Sequence, residues 1–192
     1  MLPILLLTIM VSCKKKDPKS EAFDITKHAI IGKLSNGYPY IIAIDGDKTT
    51  MNLFATTIGT YTYVNNVFKF NFQNEVVGSF VIENGQIKSY DGPAILNTYE
   101  LVKIPFVNQF AGKTFKGRWN NIVHQTTVKF TATQFTEITD NQQSVVDYTV
   151  INNLAVKKEV GGDFTLFIML NDKLEGGRNK YPNTLWGTFM KQ

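Results

Sequence analysis

The chain has 192 residues, one cysteine, two histidines and a formal net charge of +4. Half of this net positive charge lies in residues 14–22, which contain four lysines and two acidic residues, Asp17 and Glu21. The rest of the chain is therefore close to neutral. Proteins that bind nucleic acid need a clustered basic face, and we therefore expect no nucleic-acid partner. The remaining part, about 170 residues, is long enough for one good-sized core or two small ones.

Residues 2–11 form an apolar run that is too short to span a bilayer, for which about 20 residues are needed. A short apolar run followed by small residues is typical of a secretory signal. The run ends in Met10-Val11-Ser12-Cys13, which resembles the lipobox of bacterial lipoproteins, although Met10 is more usually Leu and no Lys or Arg precedes the run. The resemblance implies a signal peptide over residues 1–12 that is cut before Cys13, and lipidation of Cys13.

Residues 13–22 follow as a polar, lysine-rich segment with too little apolar surface to fold. We expect a flexible tether that holds the protein to a membrane of the bacterial cell envelope, on the periplasmic or surface side of the outer membrane. Because Cys13 is the only cysteine, lipidation leaves none for a disulfide, although the compartment would permit one. The folded part must then be held together by its core.

From Phe23 onward the sequence predicts an all-β protein. Its segments are short, rich in β-branched and aromatic residues, and bounded by turn formers. Dipeptides such as Asn36-Gly37, Asp45-Gly46 and Asn84-Gly85 suit type I′ hairpins, and Asn65-Asn66 and Asn152-Asn153 can act in the same way. In chain order, the predicted strands are 38–44, 49–55, 61–64, 67–73, 77–83, 86–90, 95–104, 115–119, 127–133, 135–139, 146–151, 154–159, 164–170, 173–176 and 185–191.

An internal repeat organises these strands into two similar units. When the sequence is shifted by 87 residues, Tyr61-Thr62 aligns with Tyr148-Thr149, Asn65-Asn66 with Asn152-Asn153, and Phe80 with Phe167. The matched residues are turn formers and core formers, so they predict architecture and not chemistry. We expect a first repeat over residues 23–104 and a second over residues 105–192.

Each unit is predicted to hold six or seven strands. One barrel of all the strands would have a wide lumen, as membrane pores do, and the polar outward faces do not favour a pore. We therefore expect a tandem duplication of an antiparallel meander, folded as two small barrels or curled sheets packed together in a monomer.

Residues 164–170 are apolar on both faces except for Thr165. This pattern predicts that both faces of the strand are packed against other parts of the protein, for example at the joint between the units.

The second unit opens with Phe115-Lys116-Gly117-Arg118-Trp119, which resembles the Gly-x-Trp strand of lipocalins and avidin-like barrels. The resemblance covers about a dozen residues. It implies that Trp119 forms the floor of a barrel whose open end takes a small apolar ligand, with Arg178 as a stacking partner of the indole. The alternative is that Trp119 is a core aromatic residue without a ligand.

A second hypothesis places function on aromatic residues of the first unit. Tyrosine offers a flat apolar face and a polar tip, so Tyr38, Tyr40, Tyr61 and Tyr63 could bind a protein or a glycan. The alternative is that these side chains form cross-strand pairs within the sheet.

Signals for catalysis are weak. His28 and His124 do not share a local zinc-ligand pattern, and the sequence lacks a nucleophile elbow and a phosphate loop. Acidic residues such as Glu137 and Glu175 are expected on polar, solvated faces. We therefore expect no enzyme activity, cofactor or metal.

The preferred interpretation is a lipid-anchored envelope lipoprotein that binds a small apolar ligand in a β-barrel.

Overall fold

A computed structural model describes residues 23–73, 75–180 and 182–192, and this part of the chain is almost entirely β-strand. A single 3₁₀ turn, Ile25–Lys27, precedes the first strand. The expected signal peptide, Cys13 and the tether lie outside the described residues. Within them, no helix has the length and apolar character needed to cross a membrane.

The first unit is an eight-stranded antiparallel sheet. Consecutive strands pair from β1 to β7, and β8 returns to pair with β1. The sheet curls into a nearly closed barrel, whose seam lies between β7 and β8. Its strands are His28–Leu34 (β1), Pro39–Asp45 (β2), Lys48–Asn52 (β3), Thr56–Val64 (β4), Val67–Phe72 (β5), Glu75–Glu83 (β6), Gln86–Asp91 (β7) and Leu96–Lys103 (β8).

The second unit is a nine-stranded antiparallel sheet that also curls into a nearly closed barrel. Its last strand, β17, pairs with both β9 and β16, and the seam lies between β12 and β13. Its strands are Thr114–Trp119 (β9), Thr126–Phe130 (β10), Gln134–Thr139 (β11), Gln142–Asp147 (β12), Thr149–Ile151 (β13), Ala155–Val160 (β14), Asp163–Leu170 (β15), Lys173–Lys180 (β16) and Asn183–Lys191 (β17).

The two barrels have the same cyclic strand order. In the first barrel, Thr60 of β4 pairs with Lys48 of β3 and with Asn71 of β5, so one long strand serves both neighbours. In the second barrel, β12 pairs with β11 and β13 pairs with β14. These two strands are separated only by Tyr148 and together take the place of β4. The prediction of two similar units is confirmed.

The residues that revealed the repeat occupy equivalent places. Phe80 lies on β6 and Phe167 on β15, and each is buried in the core of its own barrel. Tyr61 and Tyr148 are half-buried and pack against the same two cores. At these two pairs of positions, a shift of 87 residues therefore carries inward-facing residues of one barrel onto inward-facing residues of the other.

The first unit has eight strands and the second has nine, more than the six or seven expected in each. In the second unit, residues 146–151, which were predicted as one strand, divide between β12 and β13. The prediction missed β1, whose sequence His-Ala-Ile-Ile-Gly-Lys-Leu does not alternate between apolar and polar residues. The reason is that both faces of β1 are covered. Ile30 and Leu34 face the first core, while Ala29 and Ile31 face the second barrel.

The turn prediction was right about location and partly wrong about type. Asn84-Gly85 and Asn65-Asn66 have positive φ at both positions, as type I′ hairpins require. In the hairpin after β2, Asp45 pairs with Lys48, so the two-residue loop is Gly46-Asp47. Only Gly46 has a positive φ there, at 60°, which is typical of a type II′ turn.

The two barrels pack against each other through an apolar joint. It is formed by outward-facing residues of β1 and β2 (Ala29, Ile31, Ile41, Ala43) and by residues at or near β14 and β15 (Leu154, Ala155, Phe164, Leu166, Ile168). On β15, Phe167 faces the second core while its neighbours Leu166 and Ile168 face the joint. The prediction that residues 164–170 are covered on both sides is confirmed.

Polar contacts flank this apolar joint. Lys33 Nζ of the first barrel lies 2.8 Å from Glu175 Oε1 of the second, and Thr188 donates to Glu175 Oε2 at 2.7 Å. Thr56 Oγ1 donates to Glu159 Oε2 at 2.7 Å. Burial alone would raise the pKa of Glu159, but hydrogen bonds from Thr56 and Lys157 outweigh burial and leave that pKa below its ordinary value.

Candidate functional site

The inward-facing residues of the second barrel change from apolar to charged along several strands. Because alternate residues of a strand share a face, Phe135 and Glu137 both point inward, as do Val156 and Lys158. On β15 the same face carries Phe167, Thr165 and Asp163, read from the core outward. The lower half of the barrel is packed with apolar side chains, and the upper half carries ionisable groups around a cavity.

Trp119 lies at the boundary between these halves. It is 3% exposed, and its ring packs against Phe167 and Phe189 at centroid distances of 5.8 and 5.1 Å. A β-carbon added to Gly176 would lie 2.9 Å from Cη2 of Trp119, so glycine at this position lets the indole lie against the barrel wall. Trp119 thus forms part of the cavity floor.

Glu137 and Arg178 hold the polar edge of this indole. Trp119 Nε1–H donates to Glu137 Oε1 at 2.8 Å, and Arg178 Nη2 donates to Glu137 Oε2. Cζ of Arg178 lies 5.0 Å from the centroid of the indole, within the range of a cation–π contact. The structure therefore brings together the two residues, Trp119 and Arg178, that the sequence analysis paired.

The cavity above Trp119 has a volume of about 560 Å³, within the usual size range of small-molecule sites. Its apolar wall comes from Trp119, Ile122, Phe135, Val146 and Leu185. Its polar wall comes from Glu137, Thr139, Asp140, Gln142, Gln143, Ser144, Lys158, Asp163, Thr165, Arg178 and Lys180. This mixed lining differs from the apolar mouth that the lipocalin resemblance implies.

Most charges in the cavity are paired with each other. Arg178 pairs with Glu137, and Lys180 Nζ lies 3.3 Å from Asp163 Oδ2. Among the described residues, Lys158 forms no ion pair, whereas the adjacent Lys157 pairs with Glu159. Of the cationic side chains that the described residues place in this cavity, Lys158 is therefore the one whose ammonium is available to a ligand.

The first barrel holds a smaller cavity of different character. It has a volume of about 200 Å³ and lies beside the seam, against Tyr90, Pro93 and Ile95. Its other lining residues are apolar or glycine: Ile42, Met51, Leu53, Phe70, Val77, Gly78, Phe80 and Leu96. The wholly apolar cavity thus lies in the first unit and not in the second, where the sequence analysis expected one.

The proposed tyrosine surface of the first unit is corrected by the structure. Tyr38 and Tyr40 are 0% exposed and belong to the core of the first barrel. Tyr61 and Tyr63 are half-buried and pack against that core. The ring of Tyr61 stacks on Phe68 at 5.5 Å, which is the cross-strand pairing that the alternative interpretation described.

Two glutamates that were expected on solvated faces are buried. Glu137 is 9% exposed inside the second barrel, and Glu175 is 5% exposed at the joint. A signal for Glu137 was present in the sequence, since it lies two residues after Phe135 and therefore on the same face. Lys158 carries the same signal relative to Val156.

Other candidate chemistry is not brought together. Within the described residues, no group of three His, Cys, Asp or Glu side chains lies close enough to share a metal ion. His124 lies 3.8 Å from Asp140 at the rim, and both are well exposed. Cys13 lies outside the described residues.

Comparison with known proteins adds no relative. No protein-family model matches the chain, and no similar protein was found among curated proteins or among solved structures.

Proposed function

We propose that this chain is a non-enzymatic, lipid-anchored lipoprotein of the bacterial cell envelope that binds a small ligand in its second barrel. The observation that carries the proposal is the cavity of about 560 Å³ above Trp119, with Arg178 against the indole. A core aromatic residue alone would not require charged groups on the inward face of the barrel. In small-molecule sites, polar and charged groups beside an apolar surface fix the orientation of the ligand.

The lining narrows the class of ligand. Trp119, Phe135 and Leu185 offer an apolar surface, while Lys158 offers a cation on β14. An apolar ring or chain with an anionic end satisfies both. A purely apolar ligand would displace the water that is hydrogen-bonded to Lys158 and Arg178 and would offer no hydrogen bonds in its place. The loss of these hydrogen bonds makes the binding free energy less favourable.

The alternative function, recognition of a protein or glycan by tyrosines of the first unit, has less support than binding in the second barrel. Two of its four residues, Tyr38 and Tyr40, are buried in the core. We therefore do not propose it.

Two dyes of similar aromatic size test the proposal. Anilinonaphthalene sulfonate carries an anionic group, whereas N-phenyl-1-naphthylamine is neutral. We expect the anionic dye to bind the folded full-length chain with one-to-one stoichiometry and more tightly than the neutral dye. Lys158→Gln should weaken only the anionic dye, by roughly tenfold, because it removes one charge-assisted hydrogen bond.

Lys129→Gln is the matched control. Lys129 is an exposed lysine on the outer face of β10, so this substitution removes the same charge without touching the cavity. Equal weakening by both substitutions would show that the dye senses net charge only. If neither dye binds the folded protein, the carrier proposal is wrong.

A further inference from the structure

The linker between the two barrels presents the most exposed large hydrophobic residue in the described part of the chain. Phe106 is 96% exposed, and the adjacent Val107 is 67% exposed. Isolated exposed hydrophobic residues are common on protein surfaces. Here, however, two of them are adjacent and lie on a short loop whose backbone is fixed on both sides.

Hydrogen bonds hold this loop at its two ends. Before Phe106, Ile104 N–H donates to Lys27 O at 2.9 Å, and Asn153 Nδ2 donates to Pro105 O at 2.9 Å. After Val107, Gln109 N–H donates to Asn153 O at 3.1 Å. These contacts hold the backbone on both sides of Phe106 and Val107.

The same loop lies beside the point where the described chain begins. Lys103, at the end of β8, pairs with His28, at the start of β1. Ten peptide links separate Cys13 from Phe23, and they can span at most about 35 Å in any conformation. If Cys13 is anchored in a bilayer, the start of the described chain at this end of the molecule lies within about 35 Å of that anchor.

The ligand cavity lies at the other end of the second barrel. Strand β9 begins at Thr114, shortly after the linker, and ends at Trp119 on the cavity floor. An orientation that turns Phe106 toward the membrane therefore turns the cavity away from it.

We propose that Phe106 and Val107 insert into the interface of the bilayer to which the chain is anchored. This second contact fixes the orientation of both barrels, with the cavity facing away from the lipid. The inference rests on the lipid anchor of the proposed function. Exposed Lys27 and Lys103 lie next to the loop and suit anionic headgroups, while Asp24 is the nearby acidic residue and pairs with Lys27.

A bilayer fits this surface better than a protein partner does. Phe and Val side chains together offer only a few hundred Å² of apolar surface. A stable protein interface takes about 800 Å² from each partner. Lipid needs no complementary surface, and stable membrane attachment commonly combines an acyl chain with a second signal.

The test uses the full chain, lipidated at Cys13, in vesicles of phosphatidylethanolamine and phosphatidylglycerol. Phe106→Trp adds an emission that we expect to shift to shorter wavelength and to be quenched by lipids with brominated acyl chains. Val123→Trp is the matched control, because Val123 is 77% exposed and follows Trp119 at the cavity end. The control emission should not be quenched.

A second arm separates this inference from the lipid anchor. A chain that begins at residue 13 with Cys13→Ser carries neither the lipid nor the apolar run of residues 2–11, and we expect it to bind the same vesicles weakly. Adding Phe106→Ser should lower that partition by about tenfold, as loss of a buried aromatic side chain predicts. If the wild-type chain is not lipidated but this difference appears, the anchor is wrong and the membrane contact stands.

Two results would overturn the inference. One is an emission from Phe106→Trp that brominated lipids do not quench in vesicles that carry the lipidated chain. The other is a blue shift that depends on protein concentration and not on lipid, which would assign the loop to contact with a second copy of the chain.

Discussion

Tyr38 of the first barrel packs directly on Gly177 of the second. A β-carbon added to Gly177 would lie 2.6 Å from Cζ of Tyr38 and 2.9 Å from Cδ of Pro39. The preceding residue, Gly176, admits Trp119 to the inner side of the same strand. Because neither Gly176 nor Gly177 has a side chain, Trp119 packs closely on the inner face of β16 and Tyr38 packs closely on its outer face.

The first prediction concerns this contact. Gly177→Ala should destabilise the protein by about 1–3 kcal/mol, because the added methyl group cannot fit without moving the Tyr38 ring. Denaturant unfolding of the variant would measure this loss. In the double variant Tyr38→Leu with Gly177→Ala, the loss should be smaller than the sum of the single losses. Strict additivity would show that the two residues do not contact each other in solution.

The second prediction compares two buried tyrosines. Tyr40 donates its hydroxyl to Thr98 O at 2.9 Å, whereas the hydroxyl of Tyr38 has no partner among the described residues. Tyr40→Phe should lower the unfolding free energy by about 1 kcal/mol, and Tyr38→Phe should leave it unchanged or raise it. Urea midpoints of the two variants give the comparison. Equal losses would mean that Tyr38 has a bonding partner in solution.

The third prediction is a loss of stability in alkali. Burial raises the pKa of Tyr38 and of Tyr40 well above the ordinary value, and the neighbouring Tyr90 and Tyr99 add to the effect at Tyr40. A raised pKa in the folded state gives stability that is complete below the unfolded pKa of about 10 and is lost as the pH rises toward the folded value. Each residue should contribute a slope of about 1.4 kcal/mol per pH unit above pH 10.

Urea unfolding at several pH values from neutral to strongly alkaline measures this slope. Tyr40→Phe should reduce this slope by the contribution of one tyrosine, about 1.4 kcal/mol per pH unit. A slope that is the same in the wild type and in both Phe variants would contradict the prediction.

The fourth prediction concerns the cavity floor. Trp119→Ala should cost about 3–5 kcal/mol, because it removes a large buried ring and leaves Glu137 without one of its donors. Trp119→Phe keeps most of the ring and should cost less. Circular dichroism in denaturant gives both values without relying on tryptophan fluorescence. A loss near zero for Trp119→Ala would place the indole in solvent.

The fifth prediction concerns the anchor. Because the motif that ends at Cys13 requires this thiol for lipidation, Cys13→Ala should release the protein from the membrane fraction or leave its signal peptide uncut. Fractionation and intact mass of the recovered chain measure both outcomes. Ser12→Ala is a control that keeps a small residue before the cysteine. If Cys13→Ala is still processed and still sediments with membranes, the lipoprotein interpretation is wrong.

Much of the fold could be predicted from the sequence, because the patterns that indicate strands and turns are local. Alternation located strands such as β5 and β10, and paired Asn residues located the turns after β4 and β13. The shift of 87 residues also revealed two similar units, since equivalent strands need the same inward residues. The signal failed at β1, where neither face reaches solvent and alternation disappears.

Only some residues of the candidate site could be predicted from the sequence. The Gly-x-Trp pattern pointed to Trp119, and a weaker similarity pointed to Arg178. The sequence did not assign Glu137 to the same site, because its partners are 18 and 41 residues away along the chain. Only closure of the barrel brings strands β9, β11 and β16 around one indole.

The sequence by itself determined the strand periodicity and the positions of the turns, because these depend on neighbouring residues. It also determined the division into two units, because equivalent strands repeat the same turn and core residues 87 positions apart. A period of two defines two faces of each strand but does not say which face is enclosed. The tertiary structure decided that Tyr38 and Tyr40 are core residues, that Lys158 and Arg178 point into a cavity, and that the apolar cavity lies in the first barrel. Each of these outcomes depends on how a sheet closes and on what packs against its outer face, and both are set by contacts between residues far apart in the chain.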